Sequence, residues 1–459
     1  MDALKEKQVE FLSEKYEALR ANGKTHDQIR GALFIENDLG PCPFGDHSLN
    51  QVTAQFLKTV KPPAFHGPAG KIIRALEPHT EADPVGILLQ FLSAFGNAIG
   101  DGPHVRVEAD RHPAKLYCVL VGDTSTARKG TSAGHVRNIF RLIDPNWESE
   151  NIKGGLSSGE GLIYHVRDAD ETSPEKDRDF GVSDKRLLIF EPEFATVLKN
   201  FARQGNTLSS VLRQAWDNGP LAILTKNCPT KTLSSHISLV SHITREELTR
   251  LLTETEMANG LGNRFLWASV RRSKLLPDGG AVSMETLPIE ALKSALEKGR
   301  YLGEIKRTDS MSALWRQVYP RLTSGGVGLV GSLLARGAAQ VLRISLIYAL
   351  LDESDVIDKP HLEAALAVWE YCEESVRGIF GTSLGNTVAD TLYRSMTEEG
   401  LSLSDGYDIF SNHIRAGELL NGFRSLESFG LVEAVSKPTG GRPLTRWVPI
   451  SRLAGEGSE

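Results

Sequence analysis

The stretch VLVGDTSTARKGTSAGHVRNIF, Val119 to Phe140, decides how the rest of the chain is read. An apolar run from Leu116 to Val121 ends at Gly122. A polar loop follows, and then a segment of helical pattern. Strand, glycine-opened loop, lysine, hydroxyls and helix is the order that a phosphate-binding loop needs. In such a loop backbone N–H groups and a helix N-terminus surround the phosphates. A lysine bridges the terminal phosphates, and a Ser or Thr hydroxyl ligates Mg²⁺. The usual spelling is G-x-x-x-x-G-K-[ST]. Here the sixth place is Ala127, the seventh is Arg128, and Lys129 comes one place late. The simplest reading makes Lys129 the phosphate lysine, with Thr131 or Ser132 on Mg²⁺. A rival reading puts Arg128 in the lysine register, although a planar guanidinium does not fit the same compact place. The plain alternative is a strand-to-helix turn with surface charges. The expected nucleotide-binding set is Gly122, Thr124, Thr126, Arg128, Lys129, Gly130, Thr131 and Ser132. The expected cofactors are ATP and Mg²⁺.

Further elements follow in the order such a site requires. In RLLIFEPEF, the apolar residues Leu187 to Phe190 lead into Glu191 and Glu193. One carboxylate can hold Mg²⁺ through water and the other can orient the attacking water. An aspartate is commoner at the first place, so Glu191 is a departure. Thr131 and Glu191 are the expected metal residues. HISLVSHITREEL is a strand ending in Ser241 and His242, placed to sense a γ-phosphate. Thr244 and Glu247 after it have capping-box spacing. ANGLGNRFLWASVRRSK carries Arg264, which can reach a neighbouring subunit's site as a finger. The alternative for Arg264 is a helix-end arginine in a surface pair. Arg336 and Arg343, seven apart in ARGAAQVLRISLIYALL, fall near one helix face. Arg336 is the preferred phosphate contact, because Arg343 sits in the more apolar stretch. The expected catalytic set is Glu191, Glu193, His242, Arg264 and Arg336.

The rest of the chain sets the frame. Its 459 residues suggest several domains. The boundaries expected are a helical leader over 1–64, a nucleotide-binding core over 65–280, a helical lid over 281–382 and a last domain over 383–459. LYCVLVG, RLLIF, HISLVS and RFLWASV alternate with helical stretches, which suits buried parallel strands with crossover helices. In EPHTEADPVGILL, Thr80 can cap a helix starting near Ala82. His79, Glu81 and Asp83 are a weaker metal alternative. Ser157 and Glu160 in SSGEGL also have capping-box spacing. DADETSPEKDRDFGVSDKR reads as a charged surface loop. No apolar run reaches the ~18 residues that span a bilayer, and no signal-peptide core opens the chain. The four cysteines, Cys42, Cys118, Cys228 and Cys372, show no C-x-x-C spacing, so buried thiols in a cytoplasmic protein are expected. The net charge of -6 gives no global basic footprint, so any nucleic-acid contact must be local.

EPHTEADP, the RKGTS loop, GLSSGEGL, FEPEF, SHIT and GNRFLW, in this order, resemble a family of P-loop ATPases found in phages, plasmids and genomic islands. Members often lie beside or are fused to primase-polymerase modules, and the family is similar to AAA+-like replicative helicases. The resemblance covers about residues 65 to 375. It implies an α/β fold, with a P-loop NTPase (AAA+/RecA-like) parallel-sheet core under a helical lid. It implies ATPase roles for Lys129, Thr131, Glu191, Glu193, His242, Arg264 and Arg336, in a ring oligomer with a primase or polymerase as a possible partner.

Beyond the resemblance, short helices precede two strands around a Gly-Gly-Arg-Pro turn, the order of a winged helix. The recognition helix is expected over about Ala416 to Phe429, with Arg415 and Arg424. The wing holds Lys437 and Arg442, with Arg446 beyond. Glu418, Glu427 and Glu433 weigh against DNA there. AWDNGPLAILTKNCPTKTLSSH reads as a hairpin-like insertion whose Lys226 and Lys231 can touch a nucleic-acid backbone. Solvated loop lysines are the equal alternative. The function expected is an ATP-dependent DNA helicase or translocase-like motor acting in replication of a mobile element. The alternatives are an ATP-switched DNA-binding initiator or scaffold with little hydrolysis, and a protein-remodelling ATPase.

Overall fold

The computed structural model describes residues 59–450 except 124–125, 171–178, 224–229, 253–258, 325, 327, 382–385, 429 and 438–443. Most of the expected leader, with Thr124, Lys226 and Arg442, therefore lies outside the described residues. Two compact units divide the chain. One is Leu57–Asn386, and the other takes in Thr387 onward.

The larger unit begins with α1 (Gly67–Leu76) and α2 (Pro84–Ile99), then the hairpin β1 (His104–Val107) and β2 (Asp110–Pro113). Next come β3 (Tyr117–Val121), α3 (Lys129–Ile143), α4 (Pro145–Glu150), β4 (Ile152–Lys153), α5 (Gly159–Tyr164) and β5 (Arg186–Glu191). These lead to α6 (Phe194–Phe201), α7 (Leu208–Trp216), the hairpin β6 (Leu221–Ala222) and β7 (Lys231–Thr232), β8 (His236–Ile243), α8 (Arg245–Leu251) and β9 (Phe265–Ser269). The unit ends with α9 (Ile289–Arg300), β10 (Lys306–Arg307), α10 (Asp309–Thr323), α11 (Gly328–Leu334), α12 (Gly337–Leu351), β11 (Val356–Ile357) and α13 (Lys359–Phe380).

Five strands form one all-parallel sheet in the order β4-β5-β8-β3-β9. Every residue of β3 is buried, and so is every residue of β8, because helices cover both faces. Alternate strand residues divide between two apolar cores. Cys118, Leu120, Leu188, Val240 and Leu266 pack with α2, α3, α12 and most of α13. Val119, Leu187, Ile189, Leu239 and Trp267 pack with α5, α6 and α7. The four strands read from apolar runs are all present. β4 was missed because two half-buried residues carry no pattern.

Parallel pairing puts all the carboxyl ends on one rim. Val121 lies beside Ile243 and Ser269, and Glu191 lies beside Ser241. The strand before the glycine loop is therefore separated from the acidic strand by β8. The helices over 281–382 belong to the same compact unit as the sheet. Tyr371 donates from Oη to the Ser269 carbonyl at 2.5 Å, and Gln340 donates to the Arg264 carbonyl at 2.9 Å. The stretch Leu329–Leu351 is long and apolar enough to cross a membrane, but 72% of its window is buried. It is also broken into α11 and α12 around Arg336.

Two expected helix starts move. Asp83, not Thr80, caps α2, accepting from Val85 N at 2.9 Å, because Pro84 is already at the first helical position. Thr80 instead accepts from Ala82 N. Ser158, not Ser157, caps α5, and Glu160 receives the Thr207 hydroxyl at 3.3 Å. Thr244 caps α8 as expected, accepting from Glu247 N at 3.2 Å.

The second unit holds α14 (Thr387–Arg394), β12 (Leu401–Ser402), α15 (Leu403–Ile409), α16 (Ala416–Ser428), β13 (Val432–Lys437) and β14 (Leu444–Pro449). Its antiparallel sheet has the order β12-β14-β13. Phe423 of α16 stacks on Trp447 with ring centroids 4.1 Å apart.

Candidate nucleotide site at the carboxyl rim of the sheet

Gly122 is where β3 turns off the sheet. Its N–H donates to the Ile243 carbonyl at 3.1 Å, which ties the loop to β8. A Cβ there would lie 2.4 Å from the Val270 carbonyl oxygen and 2.8 Å from Ala127 Cβ, so only glycine fits. Ala127 is buried beneath the loop. The loop then enters α3 through Arg128, whose φ of 51° and ψ of 30° are left-handed. A glycine normally takes that conformation before the lysine. Arg128 therefore takes a backbone conformation that favours glycine, and Lys129 follows it as the first residue of α3.

Side chains agree with that backbone. Arg128 turns away from the loop and pairs with Glu81 at 2.6 Å. Glu81 also accepts from Leu276 N at 2.8 Å. The Leu276 N–H first, and then Arg128, holds the Glu81 carboxyl below its ordinary pKa. Lys129 turns inward, and its Nζ donates to the carbonyls of Gly122 and Asp123, the latter at 3.0 Å. Burial lowers the Lys129 pKa, with Asp123 and Glu247 acting against it. Among the described residues no side chain caps α3, so its first N–H groups face the loop uncapped. That is the ordinary recipe for holding an anion.

The two hydroxyls separate by environment. Ser132 is buried, accepts from Gln90 Nε2 at 2.6 Å and donates to the Lys129 carbonyl at 2.6 Å. Thr131 and Gly130 are exposed at the helix start, as is Thr126 on the loop. Of the two, Thr131 has the hydroxyl open to an incoming metal ion.

The acidic residues divide in the same way. Glu191 is buried at the end of β5, where Oε1 accepts from Leu156 N at 2.5 Å. Its carbonyl accepts the Ser241 hydroxyl at 2.6 Å. Glu193 is exposed at the start of α6 and caps nothing. The Leu156 N–H therefore ties the Gly154–Ser158 loop to the end of β5.

Ser241 and His242 point to opposite faces, as successive strand residues must. His242 contacts Phe190 edge-on at 5.4 Å and Gln90 Oε1 at 3.2 Å. Burial, then Lys129, pushes its pKa down to about 3. The imidazole is neutral, and because Gln90 Oε1 only accepts, Nε2 carries the proton. Gln90 thus joins the end of β8 to the first turn of α3.

Arg264 and Arg336 lie elsewhere. Arg264 precedes β9 at the amino edge of the sheet, where Phe265 pairs with Tyr117. It is buried and bridges to Asp217 Oδ2 at 2.5 Å. Arg336 pairs with Asp217 Oδ1 at 3.3 Å and Asn263 Oδ1 at 3.1 Å. Arg343 is fully buried, and its guanidinium stacks 3.6 Å from the Trp216 ring centroid.

Three of the nucleic-acid candidates, Lys231, Arg415 and Arg424, are exposed. Lys231 is exposed on the β6–β7 hairpin, before the amino end of β8. Arg415 and Arg424 are exposed on and beside α16. Lys437 ends β13, and Arg446 pairs with Asp405 at 2.8 Å.

One further cluster brings metal-ligand side chains together. Ligand atoms of His66, Asp352 and His361 lie within 4.8 Å of one another. His361 Nδ1 accepts the Asp358 N–H at 3.0 Å, so its Nε2 carries the proton and donates to Asp352. A metal ligand needs that lone pair free. The cluster is a hydrogen-bonded joint between the segment before α1 and the turn from α12 to α13.

Sequence reading missed Gln90 and Asp217, whose partners lie far away in the chain, and it weighed Glu81 as a metal ligand where the structure pairs it with Arg128. Compared with protein-family models and with curated proteins, the chain finds no match.

Proposed function

We propose that this chain is a P-loop ATPase of the AAA+-like kind, working as a ring-forming motor that moves DNA in the replication of a mobile element. One observation carries the reading. The Gly122 loop with Lys129, the β8 end with His242, and the acidic pair Glu191 and Glu193 share one rim of a parallel sheet in the order β3, β8, β5. The strand between sets the acids about 10 Å from the loop strand. That width accommodates a terminal phosphate and an attacking water between lysine and carboxylate. In this reading Lys129 and the α3 N-terminus bind phosphate, and Thr131 ligates Mg²⁺. Glu191 and Glu193 hold the metal's water and orient the attacking one. Among the described residues of the second unit, three helices and a three-stranded antiparallel sheet support a winged helix that presents Arg415 and Arg424 to DNA.

A second reading also has an observation behind it. Glu191 is buried with one oxygen occupied by Leu156 N, which suits a chain that binds ATP as a switch and hydrolyses it slowly.

Steady-state ATP turnover, with and without single-stranded DNA, tests these readings in the native chain and in Lys129→Ala. DNA-stimulated turnover that vanishes in the variant is the expected result. DNA binding without turnover would replace the motor by the switch. Turnover indifferent to DNA would point to a protein-remodelling ATPase.

A further inference from the structure

At the amino edge of the sheet, positive side chains gather around the end of α7. Lys115 Nζ donates to the Ala215 carbonyl, and Arg343 donates to the Trp216 carbonyl at 2.9 Å. These two side chains are spent on the carbonyls at the end of the helix. Arg264 and Arg336 are placed differently. Their guanidinium carbons lie 5.6 Å and 4.9 Å from the Trp216 ring centroid, and they share the two oxygens of Asp217. Among the described residues, Asp217 is the only carboxylate bridged to either. Each arginine also has a neutral anchor, Arg264 on the Gly260 carbonyl and Arg336 on Asn263. Replacing the carboxylate therefore need not move them. The buried Nε atoms of Arg264 and Arg343 and the Trp216 Nε1 have no hydrogen-bond partner. Buried donors in that state call for an acceptor.

The Asp217 side chain is 42% exposed and that of Arg336 is 35% exposed, so the Arg336 arm of the bridge is open to solvent and readily exchanged, while the Arg264 arm, with that side chain 6% exposed, lies beneath it. The site lies across the sheet from Lys129, about 15 Å away along β3. A phosphate chain held by the chain's own loop does not reach it. We propose that Asp217 is the resident counter-ion of an anion site formed by Arg264 and Arg336 on Trp216, displaced by the phosphate chain of a nucleotide held by a second copy. The source of the anion rests on the ATPase reading above. The exchange at Asp217 rests on the cluster alone. In an isolated chain the carboxylate keeps both arginines occupied, and it releases them only when a neighbour's nucleotide arrives.

Inorganic tripolyphosphate is the probe, in a full-length Lys129→Ala chain whose own loop is disabled. Thermal unfolding is followed against matched chloride. With Asp217→Asn added, stabilisation by tripolyphosphate is expected at a concentration about fivefold lower or less. Adding Arg336→Ala removes the gain. An Asp217→Asn chain no more responsive than its parent overturns the proposal, and so does a gain that survives Arg336→Ala. Should Asp217→Asn not fold, Arg336→Ala in the Lys129→Ala chain must weaken the remaining response, and an unchanged response is equally fatal. Arg264→Ala in the otherwise native chain separates the two layers. Undiminished DNA-stimulated turnover there removes the second copy's nucleotide as the source and leaves the exchange at Asp217 to stand by the first test.

Discussion

Arg128 bears an unusual burden for one residue. A non-glycine residue in the left-handed region costs about 1–2 kcal/mol, and the Glu81 bridge, with Arg128 well exposed, offsets only part of that. Arg128→Gly removes the strain and the bridge together, whereas Arg128→Ala removes only the bridge. In urea unfolding the glycine variant should match or exceed the native chain, and the alanine variant should fall about 1 kcal/mol below the glycine one. Under the proposed ATPase reading, ATP affinity should survive in the glycine variant, because Lys129 makes the inward contacts. An alanine variant more stable than the glycine variant would refute this account of the loop. No reading of the sequence could have found this conformation, since an arginine does not announce a positive φ. The same limit applies to Ser132, whose partner Gln90 lies 42 residues away.

At the scale of elements, α2 is the clamp across the sheet. All its residues after Pro84 are buried, and two polar ones, Gln90 at its middle and Asn97 near its end, tie it to the strands. Gln90 meets His242 and Ser132 near the rim. Asn97 donates to the carbonyls of Leu187 and His236 and accepts from Trp147 Nε1, all within 3.1 Å. Asn97→Ala strands two carbonyls and an indole N–H in the interior, at about 1–3 kcal/mol for each unsatisfied group. The expected outcome is a fall in the urea midpoint large enough to see directly, with ATP affinity of the folded variant unchanged because the clamp is at the far edge. Loss of affinity at full stability would show that α2 transmits strain to the rim. Most of this architecture was legible. Continuous apolar runs marked four strands, and their polar ends marked the rim, because buried parallel strands leave only their termini for chemistry. What pattern could not supply was partnership. The edge strand β4 is too short to show, and the arrest of Arg264 and Arg336 by Asp217 depends on tertiary approach.

For the whole molecule, buried histidines set the acid limit. His236 donates from Nε2 to the Gly96 carbonyl while its Nδ1 is buried without a partner. Burial, then Lys115, pushes its pKa down to about 3, and His242 falls as far. Both rings are neutral in the folded chain but accept protons near pH 6.5 when unfolded. The unfolded state thus binds more protons, and stability falls as the pH drops below about 6.5 toward the folded values. Each ring contributes about 2 kcal/mol of that loss by pH 5. Unfolding midpoints measured between pH 7 and pH 5 should fall steadily. His242→Asn should flatten the slope, and an unaltered slope in that variant would clear His242 of the effect.

The strand order also governs how the chain is made. β3 finds its two neighbours only in β8 and β9, so Tyr117 waits for Leu239 and Phe265. Synthesis proceeds at about 5–20 residues per second. For several seconds, then, the nascent chain carries an apolar strand with both flanks open. The loop after β3 is translated well before the strands that hold it in shape. A chain released before Ser269 would expose β3 as a ready template for aggregation.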